Sequence, residues 1–190
     1  QRASSLGMQK YTFGTKVAIK DLIKYAISVS DNSAHQMLID YIGFSKLKTY
    51  GNSIGNDYTL VGGDNYGSID LDDAFNYMYE LNKFINNNKV LGAELKTYFD
   101  NDYDNFLDLE NLNVIHKYGY YSTFFHDIGI AEDNNPYIIV VLTNYGTSNF
   151  NTIVNNISKK VNELHEYYYN EKNKKCILEV YNDWFNNCHY

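Results

Sequence analysis

The sequence predicts an α+β chain with a helical lobe and a sheet lobe, on three observations. Apolar residues recur at helical spacing through the first hundred positions, three short runs rich in β-branched and aromatic residues follow, and a long helical pattern closes the chain. Length and composition agree. A chain of 190 residues, 44% hydrophobic and 21% charged with one proline, makes one globular domain or a domain with a small appendage, and not a disordered segment. A net charge of −7 and a pI near 5.1 exclude the basic footprint of a nucleic-acid binder. No apolar run approaches the ~20 residues that span a membrane. Gln1-Arg2-Ala3-Ser4-Ser5 has no apolar stretch, so no signal peptide is expected in these residues.

The first helix is read over Val17 to Ile27, where Ile19, Leu22, Ile23, Ala26 and Ile27 form one stripe. It ends at Ser28-Val29-Ser30 and a second begins at once. Asp31 or Asn32 is its N-cap, Ala34, Met37, Leu38 and Ile42 share a face, and Gly43 is its stop. Phe44 to Gly67, rich in glycine, reads as loops with short helical turns. Asp70 and Asp73 open a third helix with Leu71, Phe75, Met78, Leu81 and Ile85 inward, and Leu91, Leu95 and Phe99 mark a fourth. Val114–Tyr121, Thr123–Ala131 and Tyr137–Thr143 read as an antiparallel meander. Ile138 to Leu142 is apolar on both faces and should be covered on both. A long helix carries Ile153, Ile157, Val161, Leu164 and Tyr168, with the Tyr167-Tyr168-Tyr169 run as packing and surface. After the Lys172–Lys175 charge run, Ile177, Val180, Tyr181 and Trp184 mark one more helix. Two units follow: 1–169, and a helical extension at 170–190.

Two short elements carry chemistry. Ser30-Asp31-Asn32 stands at a corner between helices, and His116-Lys117-Tyr118-Gly119 stands on the first strand. In this order and on these element types they resemble the S-D-N and K-[TS]-G elements of the penicillin-recognising serine hydrolases. Flanking residues resemble the class A β-lactamase-like branch: Ile19-Lys20-Asp21-Leu22-Ile23, Ser33-Ala34, His126-Asp127-Ile128-Gly129-Ile130 and Pro136 to Val140, over roughly Gly7 to His165. The resemblance implies a β-lactamase-like fold and a serine acylated by a β-lactam or a D-alanyl peptide. It also implies a bacterial cell-wall setting, extracellular or in the cell envelope. Ser30 would then pass a proton to the departing amine, and Lys117 would supply positive charge for the substrate carboxylate and keep Ser30 polarised. Asn32 would offer its amide to the substrate, Gly119 would let substrate lie along the strand edge, and the Tyr120 N–H would be one oxyanion donor. Asp31 is read as a cap and corner-builder. No cofactor is implied.

The departures from the family pattern are equally specific. The nucleophile element S-x-x-K does not occur before Ser30, and its one instance, Ser45-Lys46-Leu47-Lys48, reads as a solvated helix face. Gly43 to Asp70 contains no Glu, where the family keeps its deacylating base, and neither Asp57 nor Asp64 replaces it. Tyr118 stands where the family has a small hydroxyl residue. His116 and His126 read as strand residues with satisfied hydrogen bonds. His126-Asp127 is set aside as a dyad because strand neighbours point to opposite faces. The five His lack HxxxH or HExxH spacing, and Cys176 and Cys188 indicate neither a disulfide scaffold nor a zinc site.

By resemblance, then, the N-terminal strands and nucleophile helix of the family are absent from these residues, and the isolated chain is expected to be inactive. The strand Ile138–Leu142 would be an open edge, filled by an N-terminal segment, a second copy in a homo-oligomer or a partner chain. The alternative is a non-catalytic β-lactamase-like module that binds cell-wall peptide or a protein partner.

Overall fold

A computed structural model describes residues 5–57, 67–99, 107, 109, 112–144 and 150–182, with side chains up to residue 172 apart from that of Phe150. Helix α1 (Ile19–Ser28) buries Leu22, which packs with Met8 and Ala34 while Val17, Tyr25, Ala26 and Leu38 close around them. Helix α2 (Asn32–Ile42) turns Ala34, Leu38 and Ile39 inward, and leaves Met37 and Ile42 partly in solvent. Ala34 and Leu38 thus face inward as expected, while Ile39 takes the place expected for Met37 and Ile42.

Gly43, at φ 85°, ends α2 as expected and admits α3 (Phe44–Ser53), a full helix where loops with short turns were expected. Gly51 explains the difference: it is a packing position and not a breaker. A Cβ there would sit 3.0 Å from the Tyr77 hydroxyl. Polar side chains then fasten the end of α3 to the next helix. Asn76 donates to Asn56 Oδ1 at 2.9 Å, and the Asp57 N–H donates to Asp73 Oδ1 at 3.2 Å. Such polar ties leave no apolar period for a sequence reading to find.

Helix α4 (Leu71–Asn87) starts at Asp70, whose carboxylate accepts from the Asp73 N–H at 2.9 Å. Its inward stripe is Ala74, Met78, Leu81 and Ile85, with Asp73 turned toward Asp57. Leu71 and Phe75 are exposed against expectation, and Phe75 stacks on Tyr79 with ring centroids 6.1 Å apart. Helix α5 (Lys89–Phe99) buries Phe99 and packs Leu95, but leaves Leu91 59% exposed. Gly92 sets that orientation, because a Cβ there would collide with the Ile85 backbone.

Strands β1 (Asn113–Tyr121), β2 (Phe124–Glu132) and β3 (Tyr137–Thr143) form the expected antiparallel meander in the order β1-β2-β3. Alternation sends Ile115, Ile128, Ile130 and Ile138 to one face, against Met78, Leu81 and Phe99 of the helical lobe. Phe125, Ile139 and Val141 go to the other, against Leu107 and Val154. The strand β3 is thus lined on both faces, and among the described residues it pairs only with β2.

Val154 belongs to α6 (Phe150–Asn182), one continuous helix where a break before Ile177 was expected. No Gly or Pro lies between 150 and 182, so nothing in the run ends it. Tyr167, Tyr168 and Tyr169 sit on its surface. Asp64, Trp184, Cys188 and the side chains of Asn173, Lys174, Lys175, Cys176, Ile177, Val180 and Tyr181 lie outside the described residues. Among those described, no helix is long and apolar enough to cross a membrane.

Candidate active site

The site begins with how α1 ends. The Tyr25 carbonyl accepts from the Val29 N–H at 3.3 Å and from the Asp31 N–H at 3.0 Å. This closure places Ser30 at φ 49°, the left-handed position that helix ends normally give to glycine. A side chain there costs about 1 kcal/mol in backbone energy. Asp31 holds the next residues. Fully buried, its carboxylate accepts from the backbone N–H groups of Ser33 and Ala34 at 2.9 Å each and of Met8 at 2.8 Å. It is the cap and corner-builder the sequence indicates. Ser33 Oγ meets Ser5 Oγ at 2.6 Å, which ties the segment before α1 to the same corner. Asn32 opens α2 beside it, half-buried.

The second half comes from β1. Lys117 lies on the face turned to the helical lobe, and its Nζ donates to Ser30 Oγ at 2.5 Å and to the Tyr118 carbonyl at 3.1 Å. The same Nζ is 4.6 Å from the centroid of the Tyr118 ring. Tyr118 itself packs against the buried cluster on the α6 side. Gly119 and Tyr120 continue along the edge of β1 that is unpaired among the described residues. A Cβ at Gly119 would meet nothing within 4 Å, and its φ is not positive, so the fold itself does not require glycine there. Tyr120 is exposed, with its ring stacked on Phe125 at 5.0 Å.

The structure therefore joins Ser30 and Lys117 directly, across 87 residues, with Asn32 in the same corner. Tyr118 enters through its carbonyl, and Gly119 and Tyr120 lie farther along the strand. A lysine ammonium donating to a hydroxyl leaves that hydroxyl's own proton free to be given elsewhere, which is what a proton relay needs. Ser45 and Lys48 are both exposed on α3, as a solvated face should be.

One buried pair escaped the sequence reading. His126 and Asp127 do point to opposite faces, but Asp127 takes His116 instead. The His116 Nδ1–H donates to both carboxylate oxygens, at 3.1 and 3.2 Å, with the two residues 4% and 0% exposed. The signal was the hairpin register, which sets Tyr118 opposite Asp127 and so brings His116 to its diagonal. His126 is held separately: its Nδ1 accepts from the Thr143 N–H at 3.2 Å, and burial pushes its pKa down, toward the neutral ring. Among the described residues no three His, Cys, Asp or Glu side chains gather as a metal site would require.

The β-lactamase enzyme family model matches residues 2–166. Among solved structures the chain is similar to PBP-A, with a TM-score of 0.72 at 16% identity over 84% of this chain and 66% of that one. A PBP-A variant in an acyl-enzyme complex with penicillin G gives a TM-score of 0.70 at 16% identity, with the same 84% and 66% coverage. A β-lactamase from Sphaerobacter thermophilus DSM 20745 gives 0.62 at 18% identity, over 79% of this chain and 62% of that one. At such identities the likeness is one of fold. No curated protein matches the sequence. The α+β architecture, the Ser30–Lys117 junction and a family match from residue 2 to residue 166 agree: the chain belongs to the β-lactamase enzyme family.

Proposed function

We propose that the protein acts on β-lactams or D-alanyl peptides through an acyl-enzyme, and that these residues supply its proton-relay and carboxylate-recognition side. The contact between Lys117 Nζ and Ser30 Oγ carries the proposal. Ser30 gives its proton to the departing amine and is kept polarised by Lys117, whose charge also attracts the substrate carboxylate. Asn32 offers its amide to the substrate, and the open edge at Gly119 and Tyr120 receives its backbone, with the Tyr120 N–H facing the developing oxyanion. The acyl-enzyme recorded for PBP-A with penicillin G supports the same chemistry on this fold. The chain spans 66% of PBP-A, and the scheme needs a serine nucleophile that no S-x-x-K before Ser30 provides. A peptidoglycan-type substrate would be met outside the cell or in its envelope, in keeping with this reading.

The test is to label the full-length protein with a fluorescent penicillin and follow its intact mass. The expected result is a stoichiometric adduct that persists, because no Glu lies between Gly43 and Asp70 to activate the deacylating water. Residues 1–190 expressed alone are expected to turn over no chromogenic cephalosporin. Absence of any adduct on the full-length protein, or labelling indifferent to both Ser30→Ala and Lys117→Ala, overturns the proposal. Either result favours a non-catalytic module that binds cell-wall peptide or a protein partner.

A further inference from the structure

Lys117 must reach Ser30 from a strand that is held along one edge only among the described residues. Beyond Lys117, β1 runs out through exposed Gly119, Tyr120 and Tyr121. A lysine stem adds four rotatable carbons to whatever freedom the backbone keeps. Something has to fix the strand at residue 117, and the back of the strand shows what does.

His116 is the residue before Lys117, so its side chain leaves the opposite face of β1. There it binds both oxygens of Asp127 through Nδ1, at 3.1 and 3.2 Å. The pair is diagonal, with His116 opposite Gly129 and Asp127 opposite Tyr118. It therefore resists sliding of β1 along β2 as well as separation from it. Gly129 makes room for the ring: a Cβ there would stand 3.0 Å from His116 Cβ, 2.9 Å from Val114 Cγ1 and 3.0 Å from Leu107 Cδ1. Ile115, on the lobe-facing side, is buried among Met78, Phe99 and Ile130. Residues 115 and 116 thus clamp β1 from both faces, immediately before the residue that makes the long-range contact. A buried bidentate hydrogen bond is costly to break, because the groups it joins lose a partner without gaining water.

We infer that His116 and Asp127 are positioning residues for Lys117: the buried pair fixes the register of β1 so that the ammonium is held on Ser30. The inference rests on the acyl-transfer reading for its effect on rate. Its geometric content stands apart from that reading, and the test separates the two. Three variants of the full-length protein are compared, His116→Asn, His116→Gln and His116→Val. Asparagine puts an amide N–H where Nδ1 stands, glutamine carries the same amide one carbon too far, and valine has no donor. Two quantities are read: the rate of labelling by fluorescent penicillin, and the Lys117 ε-ammonium signal in a nitrogen-15 spectrum, assigned by its loss in Lys117→Arg.

The asparagine variant should stay within about threefold of wild type, while glutamine and valine lose on the order of tenfold to a hundredfold, as misplacement of a catalytic group by an ångström does. The slowly exchanging Lys117 signal should persist with Asn and vanish with Gln and Val. If valine prevents folding, the Asn and Gln pair decides alone. Equal losses for Asn and Gln, or an unchanged Lys117 signal in Gln and Val, overturn the inference. A wild-type protein that forms no penicillin adduct sinks the acyl-transfer reading, and the Lys117 signal still decides the positioning.

Discussion

The two sides of the Ser30–Lys117 contact are built by opposite means. The corner that carries Ser30 is made almost wholly of local bonds. Tyr25 closes the end of α1 and Asp31 caps the start of α2, while Ser5 and Met8 reach in from the segment before α1. The strand end that carries Lys117 is held by side chains that meet across elements, Asp127 on β2 and the lobe residues around Ile115. A local corner pays for its shape in backbone strain at one residue, whereas an edge strand depends on side chains meeting across a register. The comparison teaches where each half is vulnerable.

The largest effect should come from cutting the contact between the halves. Lys117→Ala is expected to slow acylation of the full-length protein on the order of a hundredfold or more. The melting temperature should barely move, because Lys117 is only part-buried. Stopped-flow or gel-based labelling beside a thermal melt checks both. A large fall in melting temperature would mean that the strand end depends on Lys117 for its stability.

Breaking the corner comes next. Asp31→Ala leaves the N–H groups of Met8, Ser33 and Ala34 without their acceptor, in a place where the carboxylate is fully buried. A cap loss plus buried orphan donors should destabilise by about 2–3 kcal/mol. Asp31→Asn, which keeps one acceptor oxygen, should recover part of that in denaturant titration. Equal stability for the two variants would show that the corner does not rest on the Asp31 carboxylate.

A smaller effect sharpens the point about strain. Ser30→Gly and Ser30→Ala both remove the hydroxyl and should abolish the relay alike. At φ 49° only glycine is at ease, so the glycine variant should be the more stable of the two by about 1 kcal/mol. Chemical denaturation of the pair measures it directly. Parity would argue that the left-handed corner relaxes once its contact with Lys117 is gone.

The smallest stability change is expected at Gly119→Ala. With open space around the added carbon and no positive φ, stability should change by less than about 0.5 kcal/mol. If substrate lies along this edge, acylation falls all the same. A melt unchanged while labelling slows separates a substrate-facing glycine from a structural one.

The features legible in the sequence are those that depend on neighbours along the chain. The stripe from Leu22 to Ile27, the Asp31 and Asp70 caps, the stop at Gly43 and the three-strand meander all follow from spacing and local hydrogen-bonding preference. Ser30, Asp31 and Asn32 could be placed at a corner for the same reason. The tertiary structure decided what depends on approach between elements. Gly51 reads as a breaker in a sequence, yet it is a close-packing position once α3 has neighbours, as Gly92 is within α5. Leu71, Phe75 and Leu91 carry the right period and still face water, because the sheet and the Asp73–Asp57 tie set the rotation of α4, and Gly92 that of α5. His116 and Asp127 are eleven residues apart and ordinary as letters, and only the register of a hairpin makes them a pair. Periodicity reports which residues share a face, but not which face is covered, since burial is a property of two surfaces and the chain specifies the second one elsewhere.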